Sequence, residues 1–130
     1  MSPNRLSNLT IVVVDDHNDL RRYLGIFLGH LGANVAVAEN AIEGLEAVKT
    51  YRPNLVLSDI SMPGRNGFEL LCDIQALNSD GTGRVPVIAM TALVTHIDRA
   101  RILDAGFNEL LPKPFTPETL VKTILRALDD

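Results

Sequence analysis

Five short apolar runs, each ending at a polar residue and each followed by a helical stretch, dominate this chain of 130 residues. The first run, Leu9 to Val14, is almost wholly β-branched and stops at Asp15 and Asp16. A strand with no polar alternation is buried on both faces, and sheets of that kind are parallel and covered by helices. Asn34 to Ala38, Leu55 to Leu57, Pro86 to Met90 and a weaker Asn108 to Leu111 supply the other strands.

The intervening segments carry helix signals. Asn18 is expected to cap the first helix, with Leu20, Leu24, Phe27 and Leu31 at helical spacing and Gly32 as the stop. Asn40 followed by Glu43 resembles a capping box, and Ile42, Leu45 and Val48 give the second helix its apolar stripe before Pro53. Phe68, Leu71, Cys72 and Gln75 define one side of a third helix, which places Cys72 in the core. The fourth helix is expected over Thr95 to Ala105, and the fifth opens at Thr116 and Pro117 with Leu120, Ile124 and Leu128 on one face. Ser61 to Gly67 and the polar stretch Asn78 to Arg84 read as loops.

Five βα units with right-handed crossovers predict an α/β (βα)5 three-layer sandwich with parallel strand order 2-1-3-4-5. The units span residues 9–128, with a flexible head at 1–8 and a tail at 129–130. They consume nearly the whole chain and leave no room in it for an output domain. No apolar run approaches the ~18 residues of a membrane span. A single cysteine excludes a disulfide-stapled scaffold and suits a reducing, cytoplasmic setting. Sixteen acidic against 12 basic side chains argue against a direct nucleic-acid binder.

The acids gain meaning from their placement. Ligands of such sheets sit beyond the carboxyl ends of the strands, where the strand order reverses. The first strand delivers Asp15 and Asp16 there, the third Asp59, the fourth Thr91 and the fifth Lys113. Three gathered carboxylates call for a cation, and an all-oxygen set suits Mg²⁺, with the Ser61 carbonyl as a further ligand. An ammonium and a hydroxyl opposite the metal are what a tetrahedral anion needs. The arrangement predicts a phosphoryl site in which Asp59 is the acceptor. The chain has neither GxGxxG after the first strand nor GxxxxGK[ST], so dinucleotides and ATP are poor ligands. Two aspartates after the first strand would likewise repel a flavin phosphate. The three histidines are too dispersed for a metal cluster: His30 and His96 read as surface residues, and His17, next to the site, as a solvated residue or one that supports the site from behind its ligands.

Four pieces in order, VVVDDH at Val12 to His17, LVLSDISMPGRNG at Leu55 to Gly67, VIAMTA at Val87 to Ala92 and LLPKPF at Leu110 to Phe115, resemble the response-regulator receiver domain. That is the flavodoxin-like module of two-component signalling. The resemblance implies Asp59 as phosphoacceptor and Asp15, Asp16, Asp59 and the Ser61 carbonyl as Mg²⁺ ligands. It implies Thr91 as switch hydroxyl, Lys113 as the phosphoryl's partner and a cis bond before Pro114. It implies a histidine kinase or histidine phosphotransfer protein as donor and a downstream protein as target, approached through the fourth helix, fifth strand and fifth helix. It further implies a switch, monomeric or dimerising on phosphorylation, and not a turnover enzyme. A small Mg²⁺-dependent phosphohydrolase and an interaction module with a silent site are the rival functions. Two features depart from the pattern. Leu110 stands where an aromatic switch partner is usual, and the polar loop before the fourth strand is longer than in minimal receivers and resembles receivers attached to hybrid histidine kinases, so the resemblance implies either a single-domain regulator or a receiver of such a kinase. Of the two positions that tune dephosphorylation in the family, Ser61 and Leu93, Leu93 cannot orient water, which predicts modest self-hydrolysis.

Overall fold

The computed structural model describes residues 5–77, 84–92 and 95–129. Strands β1 (Thr10–Val14), β2 (Asn34–Ala38), β3 (Leu55–Asp59), β4 (Val87–Thr91) and β5 (Glu109–Pro112) alternate with helices α1 (Asn18–His30), α2 (Ala41–Tyr51), α3 (Gly67–Leu77), α4 (His96–Asp104) and α5 (Pro117–Asp129). The five strands form one parallel sheet in the order β2-β1-β3-β4-β5, as the apolar runs predict.

Successive side chains of a strand face opposite sides of the sheet, so each strand feeds two cores. Ile11, Val13, Leu55, Leu57, Ile88, Met90 and Leu111 cluster with Leu24 and Leu28 of α1 and Leu120 and Ile124 of α5. Val12, Val14, Val56, Val87, Ala89 and Leu110 cluster with Val48 of α2, Leu70, Leu71 and Ile74 of α3 and Ile102 of α4. The edge strand β2 is the exception to two-sided burial, with Asn34 and Val37 exposed.

Several local expectations shift. The cap of α1 is His17, whose Nδ1 accepts the Leu20 N–H at 3.3 Å, and Asn18 is the first helical residue. Asn40 does cap α2, accepting from Glu43 N at 2.8 Å. Ile42 is 68% exposed, because α2 turns Ala41, Gly44 and Val48 inward instead. Cys72 is exposed and not a core residue. The buried stripe of α3 is Gly67, Leu70, Leu71 and Ile74, one residue out of register with the expected one. Sequence spacing cannot decide between two such stripes when apolar residues occupy both. Strands β3 and β4 each run further than expected, so Asp59 and Thr91 are their last residues.

The head is anchored from Leu6 onward. Leu6 is fully buried and its N–H donates to the Leu31 carbonyl at 2.8 Å. Gly32, at φ +97°, makes the turn that lets the segments meet, and a Cβ there would press on Ser7. Leu93 and nearly all of the Asn78 to Arg84 stretch lie outside the described residues.

Candidate functional site

Register explains why residues distant in sequence converge. Val14 pairs with Ser58, Asp59 with Met90 and Thr91 with Pro112. Asp15, Asp59, Thr91 and Lys113 therefore fall along one row at the carboxyl edge of the central strands. Ladder bonds continue past the strand ends and hold the row: Asp15 N donates to Ala38 O at 3.1 Å and Lys113 N to Thr91 O at 2.8 Å. The bond between Lys113 and Pro114 is cis.

Asp15 is fully buried, Asp59 is 7% exposed and Asp16 is exposed at the rim. One carboxylate oxygen from each lies within 4.8 Å of the other two. The Lys113 ammonium enters from the β5 side, 2.9 Å from Asp15 Oδ2 and 3.5 Å from Asp59 Oδ2. The second oxygen of Asp15 accepts the His17 N–H at 2.8 Å. Ser61 N approaches Asp59 Oδ1 at 3.4 Å, which brings the Ser61 peptide to the border of the cluster. Thr91 is buried beside this row. The five side chains nominated from the sequence thus meet at one edge, with the Ser61 backbone at its border.

The electrostatics of the cluster are unbalanced. Burial, first, and the Asp15 charge, second, push the Asp59 carboxyl above its ordinary value; Lys113 and the Ser61 N–H oppose this, and Asp16 adds to it. Three carboxylates facing one ammonium leave two negative charges uncompensated. A divalent cation restores the balance, and hard oxygen donors with one open rim fit Mg²⁺, which retains waters. The donor set therefore fits the ion implied by the sequence, with Asp15, Asp16 and Asp59 as the residues that would hold it.

The loop from Asp59 to α3 is closed by Gly67, whose N–H donates to Ile60 O at 2.8 Å. A Cβ on Gly67 would overlap the Asp59 carbonyl oxygen and lie 2.7 Å from Ile60 Cα. Both obstacles are backbone and cannot rotate away. Gly67→Ala is expected to destabilise the fold by about 2–3 kcal/mol in urea unfolding, the scale of a forced overpacking. It is also expected to weaken Mg²⁺ binding, because relief of the clash must move Asp59. Unchanged unfolding midpoints would count against this reading of the loop.

Sequence reasoning passed over Arg21, whose guanidinium donates through Nη1 to the Asp15 backbone oxygen at 2.8 Å. Its only signal in the sequence is a basic residue one turn into the helix that follows the paired acids. The Arg65 guanidinium forms a two-pronged bond with Asp73, at 3.1 and 3.0 Å, and reaches Glu69, tying the loop after Asp59 to α3.

Comparisons with known proteins agree with this geometry. The family model for the response regulator receiver domain matches residues 11–125. The 14.6 kDa protein in the sodA1 3′ region of Leptolyngbya boryana is 40% identical over 119 residues, covering 92% of this chain and 89% of that protein. The DNA-binding response regulator MtrA of Mycolicibacterium paratuberculosis is 36% identical, covering 92% of this chain but 52% of that protein, so this chain spans about half of MtrA. Among solved structures, a CheY-like response regulator receiver domain protein from Methanospirillum hungatei JF-1 superposes with a TM-score of 0.83 at 29% identity, covering 95% of each chain.

Proposed function

Because this chain belongs to the response regulator receiver domain family of two-component signalling, we propose that it is a phosphoacceptor switch that takes a phosphoryl group onto Asp59. The observation that carries the reading is the position of Asp59. It ends β3 at the point where strand order reverses, with a lysine ammonium 3.5 Å away and two further carboxylates within 4.8 Å.

In this mechanism a phosphohistidine of a kinase or phosphotransfer protein approaches the open rim formed by Asp16 and Ser61. An Asp59 carboxylate oxygen attacks the phosphorus as the P–N bond breaks. The imidazole departs with the bonding electron pair and is neutral once protonated. Mg²⁺ supplies charge neutralisation for the phosphoryl oxygens when bound. Lys113 moves its attention from Asp15 toward the new dianion, and the Thr91 hydroxyl donates to another oxygen. The product adds close to two negative charges at the sheet edge.

The output follows from what lies beside Thr91. Helix α4 buries only Ile102 and leaves Ile97 78% and Leu103 48% exposed. Arg126 of α5 bonds Glu109 of β5 at 3.2 Å across the same face. A rearrangement around Thr91 would shift α4 against this face and change what it presents to a protein partner. Leu110 is buried beneath α4, so the element coupled to Thr91 here is aliphatic packing and not a swinging aromatic ring.

Acetyl phosphate tests the reading without a cognate kinase. With Mg²⁺ the chain is expected to gain one phosphoryl group, located by peptide mass spectrometry at Asp59, and to gain none when the metal is chelated. Labelling at another residue would sink the assignment. Sustained turnover of small phosphate esters would instead identify a phosphohydrolase.

A further inference from the structure

The three carboxylates of the cluster are not held equally. Asp15 is fixed by Lys113 and by the His17 N–H. Asp59 ends a central strand and receives the Ser61 N–H. The Asp16 carboxylate, exposed at the rim, makes no hydrogen bond or ion pair with another of the described residues. Its place depends on the peptide that joins it to Asp15.

That peptide has left the sheet. The β1–β2 register ends at Val14 and Ala38, and the chain turns away at Asn40 to cap α2. The Asp15 carbonyl is therefore without a partner from β2, and a buried acceptor needs one. Arg21 supplies it. Its side chain is only 16% exposed; Nη1 donates to Asp15 O at 2.8 Å, Nη2 donates to Asn18 Oδ1, and Glu39 Oε2 lies 3.7 Å away. The guanidinium serves the two acceptors from two nitrogens held in a rigid fork, a geometry that the single nitrogen of an ammonium does not reproduce.

We propose that Arg21 is a positioning residue for the cation site: by holding the Asp15 carbonyl it orients the Asp15–Asp16 peptide and so places the Asp16 carboxylate. The inference rests on the reading of Asp15, Asp16 and Asp59 as a Mg²⁺ site. It runs against simple electrostatics, and that makes it testable. A positive charge near the cluster repels Mg²⁺, so its removal alone would tighten binding. Loss of a group that orients a ligand weakens metal affinity, by 10- to 100-fold in characterised sites.

Mg²⁺ titration by calorimetry on the full chain, at fixed ionic strength, separates the two. Arg21→Lys keeps the charge and loses the fork; Arg21→Gln loses both. Each is expected to bind Mg²⁺ about tenfold more weakly, while Glu39→Gln, which removes only the outer charge partner, stays close to the wild-type affinity. High Mg²⁺ is expected to restore the labelling of Arg21→Lys by acetyl phosphate. Wild-type affinity in Arg21→Lys overturns the proposal, as does tighter binding by Arg21→Gln. A lowered Tm with unchanged Mg²⁺ affinity also overturns it, because the role would then be structural only. If Arg21→Gln does not fold, Arg21→Lys decides. Absence of Mg²⁺ binding by the wild-type chain overturns the reading of the cluster, and this inference with it.

Discussion

Replacing Asp59 by Asn is expected to abolish phosphoryl uptake and, at the same time, to make the metal-free protein more stable. The two effects share one cause. Asp59 supplies the attacking oxygen, and an amide has no comparable nucleophile, so labelling should fall to background. The same carboxylate is an electrostatic burden in the folded state, since burial and the Asp15 charge raise its pKa. An acid whose folded pKa is raised binds more protons in the folded than in the unfolded state, so wild-type stability falls as pH rises through that interval. The ordinary value is 3.8. The advantage of Asp59→Asn should therefore be absent below that pH. It should grow as the pH rises and be complete once the native carboxyl has ionised. At neutral pH the gain should appear as a raised Tm, by a few degrees for each kcal/mol in a chain of this size. Thermal unfolding of both proteins across pH, without metal, checks this. Parallel curves at every pH would mean that Asp59 carries no folded-state penalty. Mg²⁺ should reverse the ranking, since the wild type gains ligand stabilisation, about 2.7 kcal/mol at a hundredfold excess over Kd, that the variant forgoes.

Lys113→Ala should act in the opposite direction on the fold. The ammonium lies 2.9 Å from the fully buried Asp15 and 3.5 Å from Asp59. Its removal leaves both carboxylates without their cation, and breaking a buried pair from one side costs about 3 kcal/mol. Urea unfolding without metal is the measurement. Mg²⁺ should recover part of the loss, and should bind the variant more tightly than the wild type because a competing positive charge is gone. Phosphoryl uptake from acetyl phosphate should nevertheless fall by about a hundredfold or more, the scale of removing one aimed donor from a charge-developing transition state. The variant thus separates metal binding from transfer. A labelling rate close to wild type, with Mg²⁺ saturating, would exclude Lys113 from the phosphoryl-binding role.

Much of this architecture is legible in the chain because apolar runs and their polar endings encode it directly. Leu9 to Val14, followed at once by two aspartates, states both a buried strand and the chemistry at its end. Asp59 after LVLS and Lys113 after LLP repeat that form. Helix faces were less legible. In α3 the alternatives Phe68–Leu71–Cys72 and Leu70–Leu71–Ile74 are both apolar, and only packing against β3 and β4 decides that Cys72 faces outward. In α2 the small residues Ala41 and Gly44 lie against the sheet while the larger Ile42 is left outside. A Cβ at Gly44 would meet Val14 Cγ2 at 2.7 Å, so close helix–sheet approach selected size over hydrophobicity there. At α1, His17 takes the cap because its imidazole reaches Leu20 N, whereas Asn18 is used by Arg21.

Local pattern along the chain is enough for the parallel α/β class, the order of elements and the set of chemically able residues. It also places Asp15, Asp16, Asp59, Thr91 and Lys113 at one edge, because parallel strands all end on the same side. How those residues share charge is a matter of packing in three dimensions. Lys113 bonds Asp15 more closely than Asp59, Gly67 must lack a side chain for Asp59 to sit where it does, and Arg21 holds the carbonyl beside the paired acids. Such relations depend on contacts of a few ångströms between segments far apart in the chain, and no periodicity along the sequence carries that information.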